Sequence, residues 1–336
     1  MEHVLSDIDA VAGWVEVFES GGASPETANG RIQSGGLIQV GNGAQPEDQA
    51  ARQAALNWYR WGMKSVFLQD ANALATPAAE LVAIVSRLKE RFPAVERITS
   101  YARSQTVARL RPEDLAAVRA AGLDRAHIGF ETGSDEILAF MEKGVSRPAQ
   151  VEAGRKIKQA GMELSAYYMP GLGGRALWRE NALETADLMN KVDPDFIRLR
   201  TLAVPDHLPL AEDVAVGRFT KAGDVETAQE ILLFIESLEG IGSVIVSDHV
   251  LNLFQDLEGK LPEDRGRMVA EVRAFLALDP EEQLVYRVGR RRGVFAGLAD
   301  MQDERQRAYA GRICRDLGVT TDNVDEVTDR LVARFV

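Results

Sequence analysis

The stretch RITSYARSQTVARLRPEDLAAVRAAGLDRAHIGFETGS, residues 97–134, reads as one complete strand–helix–strand unit. Arg97–Tyr101 and Arg125–Phe130 are short apolar runs with the length and composition of strands buried on both faces. Between them, Arg111-Pro112 ahead of Glu113 is a helix start, because proline at the first helical position gives up only an N–H that the helix could not use. Ala121-Gly122 is the matching stop, since glycine takes the left-handed cap without steric cost. The spacing predicts a helix over Pro112–Ala121 and a crossover from one parallel strand to the next.

The same rhythm extends in both directions. Further strand-like runs are Gly36–Val40, Ser65–Gln69, Leu164–Met169 and Phe196–Leu202. Helix-like segments are Pro46–Trp61, Pro77–Arg91, Arg147–Gly161 and Ala176–Val192, with start signals at Thr76-Pro77 and Ser146-Arg147-Pro148. Six β-then-α repeats with right-handed crossovers predict a parallel sheet. The expected fold is α/β, a partial (β/α)6 TIM-like barrel. A flat nucleotide-binding sheet is disfavoured because Gly41-Asn42-Gly43-Ala44 lacks the glycine fingerprint spacing. After Pro205 the rhythm changes. Glu226–Glu239 reads as helix, Gly242–Ser247 as a candidate seventh strand, and Pro262–Leu278, Pro280–Arg292, Asp303–Leu317 and Asp322–Phe335 as helices. The expected organisation is a lead-in over 1–34 with one helix near Ile8–Phe18, the barrel over 35–245, and a helical C-terminal region over 246–336.

Composition sets limits on function. The 336 residues are 46% hydrophobic and 27% charged, the profile of an ordinary soluble globular protein. No run of about 18 apolar residues appears, so no membrane span is expected. Met1–Asp9 carries neither the basic stretch nor the apolar core of a secretion signal. A net charge of −12 argues against a nucleic-acid partner. The basic run Arg287, Arg290, Arg291 and Arg292 reads as a solvated or salt-bridged helix face. The one cysteine, Cys314, excludes a disulfide framework and suits the reducing cytoplasm. Beside Ile313 and Leu317 in an amphipathic helix, it reads as a small core residue.

In a parallel barrel, reactive groups gather at the C-terminal strand ends. Here those ends carry Gln69-Asp70-Ala71-Asn72, Ala102-Arg103, Glu131-Thr132-Gly133-Ser134, Met169-Pro170-Gly171-Leu172-Gly173-Gly174, and Arg198 with Arg200. A carboxylate at a strand end accepts hydroxyl hydrogen bonds, a guanidinium forks onto a carboxylate, and glycine lets a ligand approach the main chain. Structural readings stand beside these. Gly171, Gly173 and Gly174 make a turn; Glu131 is a helix-start charge; Arg198 and Arg200 pair with Asp70 and Glu131. His127 reads as a satisfied core imidazole. His207 and His249, beside Asp206 and Asp248, match no known ligand spacing, so no metal site is expected. Trp58, Tyr59 and Trp61 are placed to cover space near the first barrel helix.

The ordered set FLQDANAL (67–74), SYA (100–102), IGFETGSDEILAFMEKG (128–144), GLGG (171–174), RLRTL (198–202) and the later Asp248-His249, Asn252 and Gly259–Asp264 resembles the radical S-adenosylmethionine (SAM) superfamily over roughly residues 35–275. That resemblance implies a six-unit partial barrel holding SAM against a 4Fe-4S cluster. By resemblance, Gln69, Asp70 and Ala71 meet the SAM amino group, and Glu131 meets the ribose or amino acid moiety. Met169, Pro170 and Gly171 touch adenine. Arg198 and Arg200 lie near the carboxylate, with Arg103 at the same mouth. One departure stands out. The family's first strand leads into a CxxxCxxC loop, whereas Leu37-Ile38-Gln39-Val40 passes through Gly41-Asn42-Gly43-Ala44-Gln45 directly to Pro46. Without three thiolates there is no ordinary cluster, and without its electron SAM is not cleaved to a radical. The expected function is a SAM- or nucleotide-pocket scaffold, with a small-molecule ligand in the barrel mouth. Its expected partner is an intact radical SAM paralogue or another protein. Two alternatives stand: a non-radical transferase or metal-assisted hydrolase using Asp70, Glu131, Arg198 and a histidine, or an enzyme component whose cluster a partner chain supplies.

Overall fold

The structure, a computed structural model, is described over residues 2–20 and 46–333. It is an α/β fold built on a mostly parallel, open sheet of seven strands in chain order. The expected strand at Gly36–Val40, and the loopless join that follows it, lie outside the described residues. The five other expected strands are all present, Gly242–Ser247 supplies a sixth, and a short edge strand that the sequence did not reveal makes the seventh. Two compact units make up the chain. The first runs to His127 and includes Lys156–Glu163; the second holds Ile128–Arg155 and everything from Leu164 onward.

In the first unit, α1 (Glu2–Ser20), α2 (Pro46–Arg60) and α3 (Ala78–Arg91) accompany β1 (Ser65–Leu68) and β2 (Arg97–Ala102), which pair in parallel from Ser65↔Arg97 to Leu68↔Ser100. A short helix α4 (Ser104–Arg109) precedes α5 (Pro112–Ala121). The start and stop signals of α5 hold: Pro112 sits in its first turn and Gly122 caps it at φ +118°. The strand β3 (Leu123–Glu131) follows. Trp58 and Tyr59 pack against neighbouring elements. Trp58 meets Phe92 edge-on at 4.7 Å and its Nε1 donates to the Ser65 carbonyl at 2.9 Å, while Tyr59 packs on Phe18 of α1. Trp61 is 86% exposed. Tyr59 thus joins two helices, and Trp58 ties its helix to the first strand. His127 is buried, stacked on Phe67 at 5.5 Å.

In the second unit, α6 (Asp135–Phe140), α7 (Arg147–Gln159), β4 (Glu163–Tyr168), α8 (Trp178–Val192), β5 (Phe196–Leu199), α9 (Pro209–Ala215), α10 (Asp224–Ser237), β6 (Val244–Val246) and β7 (Gly259–Lys260) follow in order. β4 pairs with β5 and β5 with β6 in parallel, whereas β7 runs antiparallel to β6. Period-2 alternation buries Ala166, Tyr168, Ile197 and Leu199, and the Tyr168 ring lies 4.2 Å from that of Phe234 on α10. Tyr167 and Arg198, paired in register, take the opposite face.

The tail comprises α11 (Arg265–Leu276), α12 (Pro280–Arg291), α13 (Glu304–Asp316) and α14 (Val324–Val332). Asp279 and Asp303 cap α12 and α13 by accepting from backbone amides. One cluster joins Leu284, Val288, Cys314, Val324, Val327 and Leu331, so Cys314 is a small core residue as its helix pattern indicates. The basic run of α12 is salt-bridged but not solvated. Arg287 and Arg290 are buried, and only Arg292 of the four is exposed. Arg287 and Arg291 both donate to Asp224, at 3.0 and 2.8 Å; Arg287 also pairs with Asp325, and Arg290 donates to the carbonyls of Leu253 and Phe295. Among the described residues, no helix is long and apolar enough to cross a membrane.

Burial works against ionised Asp224, yet the charges of Arg291 and Arg287 outweigh it and hold the carboxyl well below its usual range. Because the folded value is depressed, this contribution is present above the ordinary carboxyl value and is lost as pH falls through the folded one. Asp224→Asn would remove the carboxylate that two buried guanidiniums share, and urea unfolding at pH 7 is expected to show a loss of about 3–5 kcal/mol. The gap between wild type and variant is expected to narrow below roughly pH 4.

Candidate functional site

The strand ends of the second unit converge on three linked groups. At the end of β3, Glu131 adopts a left-handed backbone with φ +64°, uncommon for a residue with a side chain. Its carbonyl accepts from the Met169 amide at 2.8 Å, which joins the ends of β3 and β4. Its side chain folds back over Gly129, where an added Cβ would lie 3.2 Å from Oε1. The carboxylate pairs with Lys143. Glu131 is therefore not a plain helix-start charge. The next residues make the turn into α6: the Gly133 amide donates to Thr185 Oγ1 at 2.8 Å, and a Cβ on Gly133 would overlap the Glu184 carbonyl.

Past β4, the main chain of Met169-Pro170-Gly171 is tied in at every turn. Asn181 Nδ2 donates to the Met169 carbonyl at 3.1 Å, and the Leu202 amide to the Pro170 carbonyl at 2.9 Å. The Gly171 amide donates to both carboxylate oxygens of Glu230, at 3.2 and 3.1 Å. With Gly171 at φ +88° and the Gly174 amide donating to its carbonyl, these glycines do make the turn out of the strand. A ligand therefore meets this segment as a shaped surface whose polar groups are already satisfied.

At the end of β5, Arg198 in the strand and Arg200 just past it share one carboxylate, that of Asp248. Arg198 Nη1 reaches Oδ2 at 2.9 Å and Arg200 Nη1 reaches Oδ1 at 3.0 Å. Their partner is thus a residue from beyond β6, and Glu131 is spent on Lys143. Arg200 also lies over the Tyr167 ring at 5.1 Å, and Arg198 Nε is buried without a hydrogen-bond partner. Burial opposes the ionised form of Asp248, but the hydrogen bonds and charges of Arg200 and Arg198 hold its carboxyl below the usual value. For the adjacent His249, burial and then the charge of Arg200 press the pKa down, and Asp248 resists.

Asn252 anchors this corner. Its Oδ1 accepts from the Thr201 amide and hydroxyl at 2.9 and 3.0 Å, and its Nδ2 donates to the Leu199 carbonyl and Ser247 Oγ at 3.0 and 2.9 Å. Asp248 and Asn252 were visible only as members of a late motif, and Glu230 was not singled out at all. A glutamate on the apolar side of a helix, at Glu230 among Ile231, Phe234 and Ile235, was the signal that could have found it.

The remaining expected residues lie in the first unit. Gln69, Asp70 and Ala71 are exposed past β1, and Asp70 Oδ1 accepts from the Asn72 amide at 3.0 Å. Arg103 is exposed past β2, with its amide donating to Asn72 Oδ1 at 2.9 Å. Asn72 thus braces the two strand ends.

The donor set does not fit an iron–sulfur cluster. Such clusters need several thiolates. Cys314 is the chain's one thiol, sits in the tail core, and is pushed up to about 11 by burial. Among the described residues no group of three or more His, Cys, Asp or Glu is placed to hold a metal ion. The amino acid part of SAM fits better, since two guanidiniums share one carboxylate and Arg198 Nε has an unspent donor. Asp248→Asn is expected to lower the His249 pKa further and Arg200→Met to raise it. Proton-NMR titration of the imidazole reads both, and a shift of the opposite sign in either variant would refute this assignment.

None of the curated proteins compared matches the chain. Solved structures similar to it include the archaeal Methanocaldococcus infernus Elp3 with an N-terminal deletion (16% identity, TM-score 0.47, covering 60% of this chain and 52% of that one). Another is methylornithine synthase, PylB (17%, TM-score 0.40, 62% and 55%). A third is the radical S-adenosylmethionine methyltransferase TsrM from Kitasatospora setae (15%, TM-score 0.40, 50% and 31%), with cobalamin and a [4Fe-4S] cluster bound. The chain spans between about a third and about half the length of these proteins. The family model of the radical SAM superfamily matches residues 38–186 of the chain.

Proposed function

We propose that this chain is a radical SAM superfamily protein that holds a small ligand of the SAM or nucleotide class without generating a radical by itself. In this reading it acts as a ligand-binding scaffold or partner subunit in the cytoplasm, alongside an intact paralogue or another protein. The observation that carries the reading is the uneven pairing at the end of β5: two guanidiniums face one carboxylate, and Arg198 Nε has no acceptor. A ligand carboxylate completes that arrangement, because a guanidinium carries five donors in a fork and only part of each fork is used here. Glu131, on its left-handed backbone at the neighbouring strand end, is placed to accept from ligand hydroxyls or an ammonium group once Lys143 yields.

Calorimetric titration of the full chain with SAM tests the reading. Binding in the micromolar range is expected, weakened about tenfold or more by Arg198→Met or by Glu131→Gln, the usual size of a hydrogen bond to a charged group. No heat at millimolar SAM rejects the pocket. Anaerobic incubation with iron and sulfide is expected to leave the isolated chain colourless and free of stoichiometric iron; a bound cluster would reject the non-radical reading.

A further inference from the structure

Glu230 is a buried acid that none of the foregoing uses. It is fully buried on α10, with Ile231, Phe234 and Ile235 of the same helix buried as well. Three donors converge on its carboxylate from three other segments: Tyr168 Oη at 2.7 Å, Asn181 Nδ2 at 2.7 Å, and the Gly171 amide at 3.2 and 3.1 Å. In the structure all three donate to it, and a carboxylate suits this setting, since it only accepts. A protonated carboxyl must turn its O–H to an acceptor and gives up an accepting position to do so. Burial disfavours the charge more strongly than the three donors favour it, so the group is pushed up to about 8.

We propose that Glu230 is a proton-operated latch on the turn that follows β4: ionised, it pins the Gly171 amide and the Asn181 side chain; protonated, it releases the Gly171 amide and frees the turn. The parts for release are in place. Asn181 Oδ1 is buried without a partner and offers an acceptor for the new O–H. Turning the amide to meet it withdraws Nδ2 from the Met169 carbonyl, the second tie on the same turn. A cavity of about 20 Å³, room for one water, is lined by Gly171 and by Thr227 one helical turn before Glu230, and gives the freed amide a replacement partner.

The surroundings keep this a one-proton event. Tyr168 is raised well above the usual phenol value, first by burial and then by Glu230, so it stays protonated throughout. From α8 the facing group is the neutral Asn181. On α10 itself, Asp224 is held by Arg287 and Arg291, and Glu226 by Arg175. The effects on Glu230 come from burial, Tyr168, Gly171 and Asn181.

Amide hydrogen exchange of the full chain tests the latch without any ligand, so its outcome is separate from that of the binding reading. Protection of the 168–175 segment, corrected for base-catalysed intrinsic exchange, is expected to rise about tenfold or more as pH increases from 6 to 10. Glu230→Gln is expected to abolish the step. Tyr168→Phe removes one donor to the ionised form, so the midpoint is expected to move upward by about one pH unit or more. A flat profile in the wild type, a step surviving in Glu230→Gln, or an unmoved midpoint in Tyr168→Phe would overturn the proposal. The last of these stands even if Glu230→Gln fails to fold.

Discussion

A carboxylate taken out of water must be met by cations or by hydrogen-bond donors, and the second unit is arranged around two that are met in different ways. Both are on α10. At its first turn Asp224 is held by the guanidiniums of Arg287 and Arg291, and that contact fastens α12 of the tail to the helix. Less than two turns later Glu230 is held by neutral donors alone, and its ties run to β4, to the turn beyond it and to α8. Full charges outweigh burial at Asp224, while neutral donors do not at Glu230, so the two acids sit on opposite sides of their ordinary value. The first turn of the helix is held by full charges and its middle by neutral donors.

The three strand ends of the site inherit their positions from this frame. The turn past β4 is braced by Glu230 and Asn181, and through the Met169 amide it reaches the Glu131 carbonyl. The left-handed backbone of Glu131 is a local cost of about 1–3 kcal/mol that surrounding contacts must offset. The guanidiniums at the end of β5 are turned toward Asp248, which the chain delivers only after β6. Such a site is assembled by topology: neighbours in space come from positions about 50 residues apart.

Much of the fold was legible in the sequence because strand–helix alternation is a local signal. Proline starts and glycine stops marked α5 to the residue, and the tail read as a run of helices, as it is. The resemblance to the radical SAM superfamily came from ordered strand-end motifs and not from any one of them. What escaped was pairing. Nothing local says that Arg198 and Arg200 turn to Asp248 in preference to Glu131, because the choice depends on which loop returns to the strand ends. The arginine run of α12 likewise has the composition of a solvated face. It lies inside because Asp224, some 60 residues earlier, is brought beneath it. Short elements such as α4, α6, α9 and β7 carry too few residues to show a period.

Asn252 spends its entire capacity, two acceptances and two donations, on groups drawn from two separate segments. The arithmetic of that side chain fixes chain length locally. Between Ser247 and Asn252 the backbone has one register in which all four partners meet, so an insertion or deletion there would forfeit several bonds at once. By contrast, residues 203–222, exposed for much of their length, can grow or shrink without touching it. Changes of length are therefore better tolerated in that outer excursion than in the corner bearing Asp248.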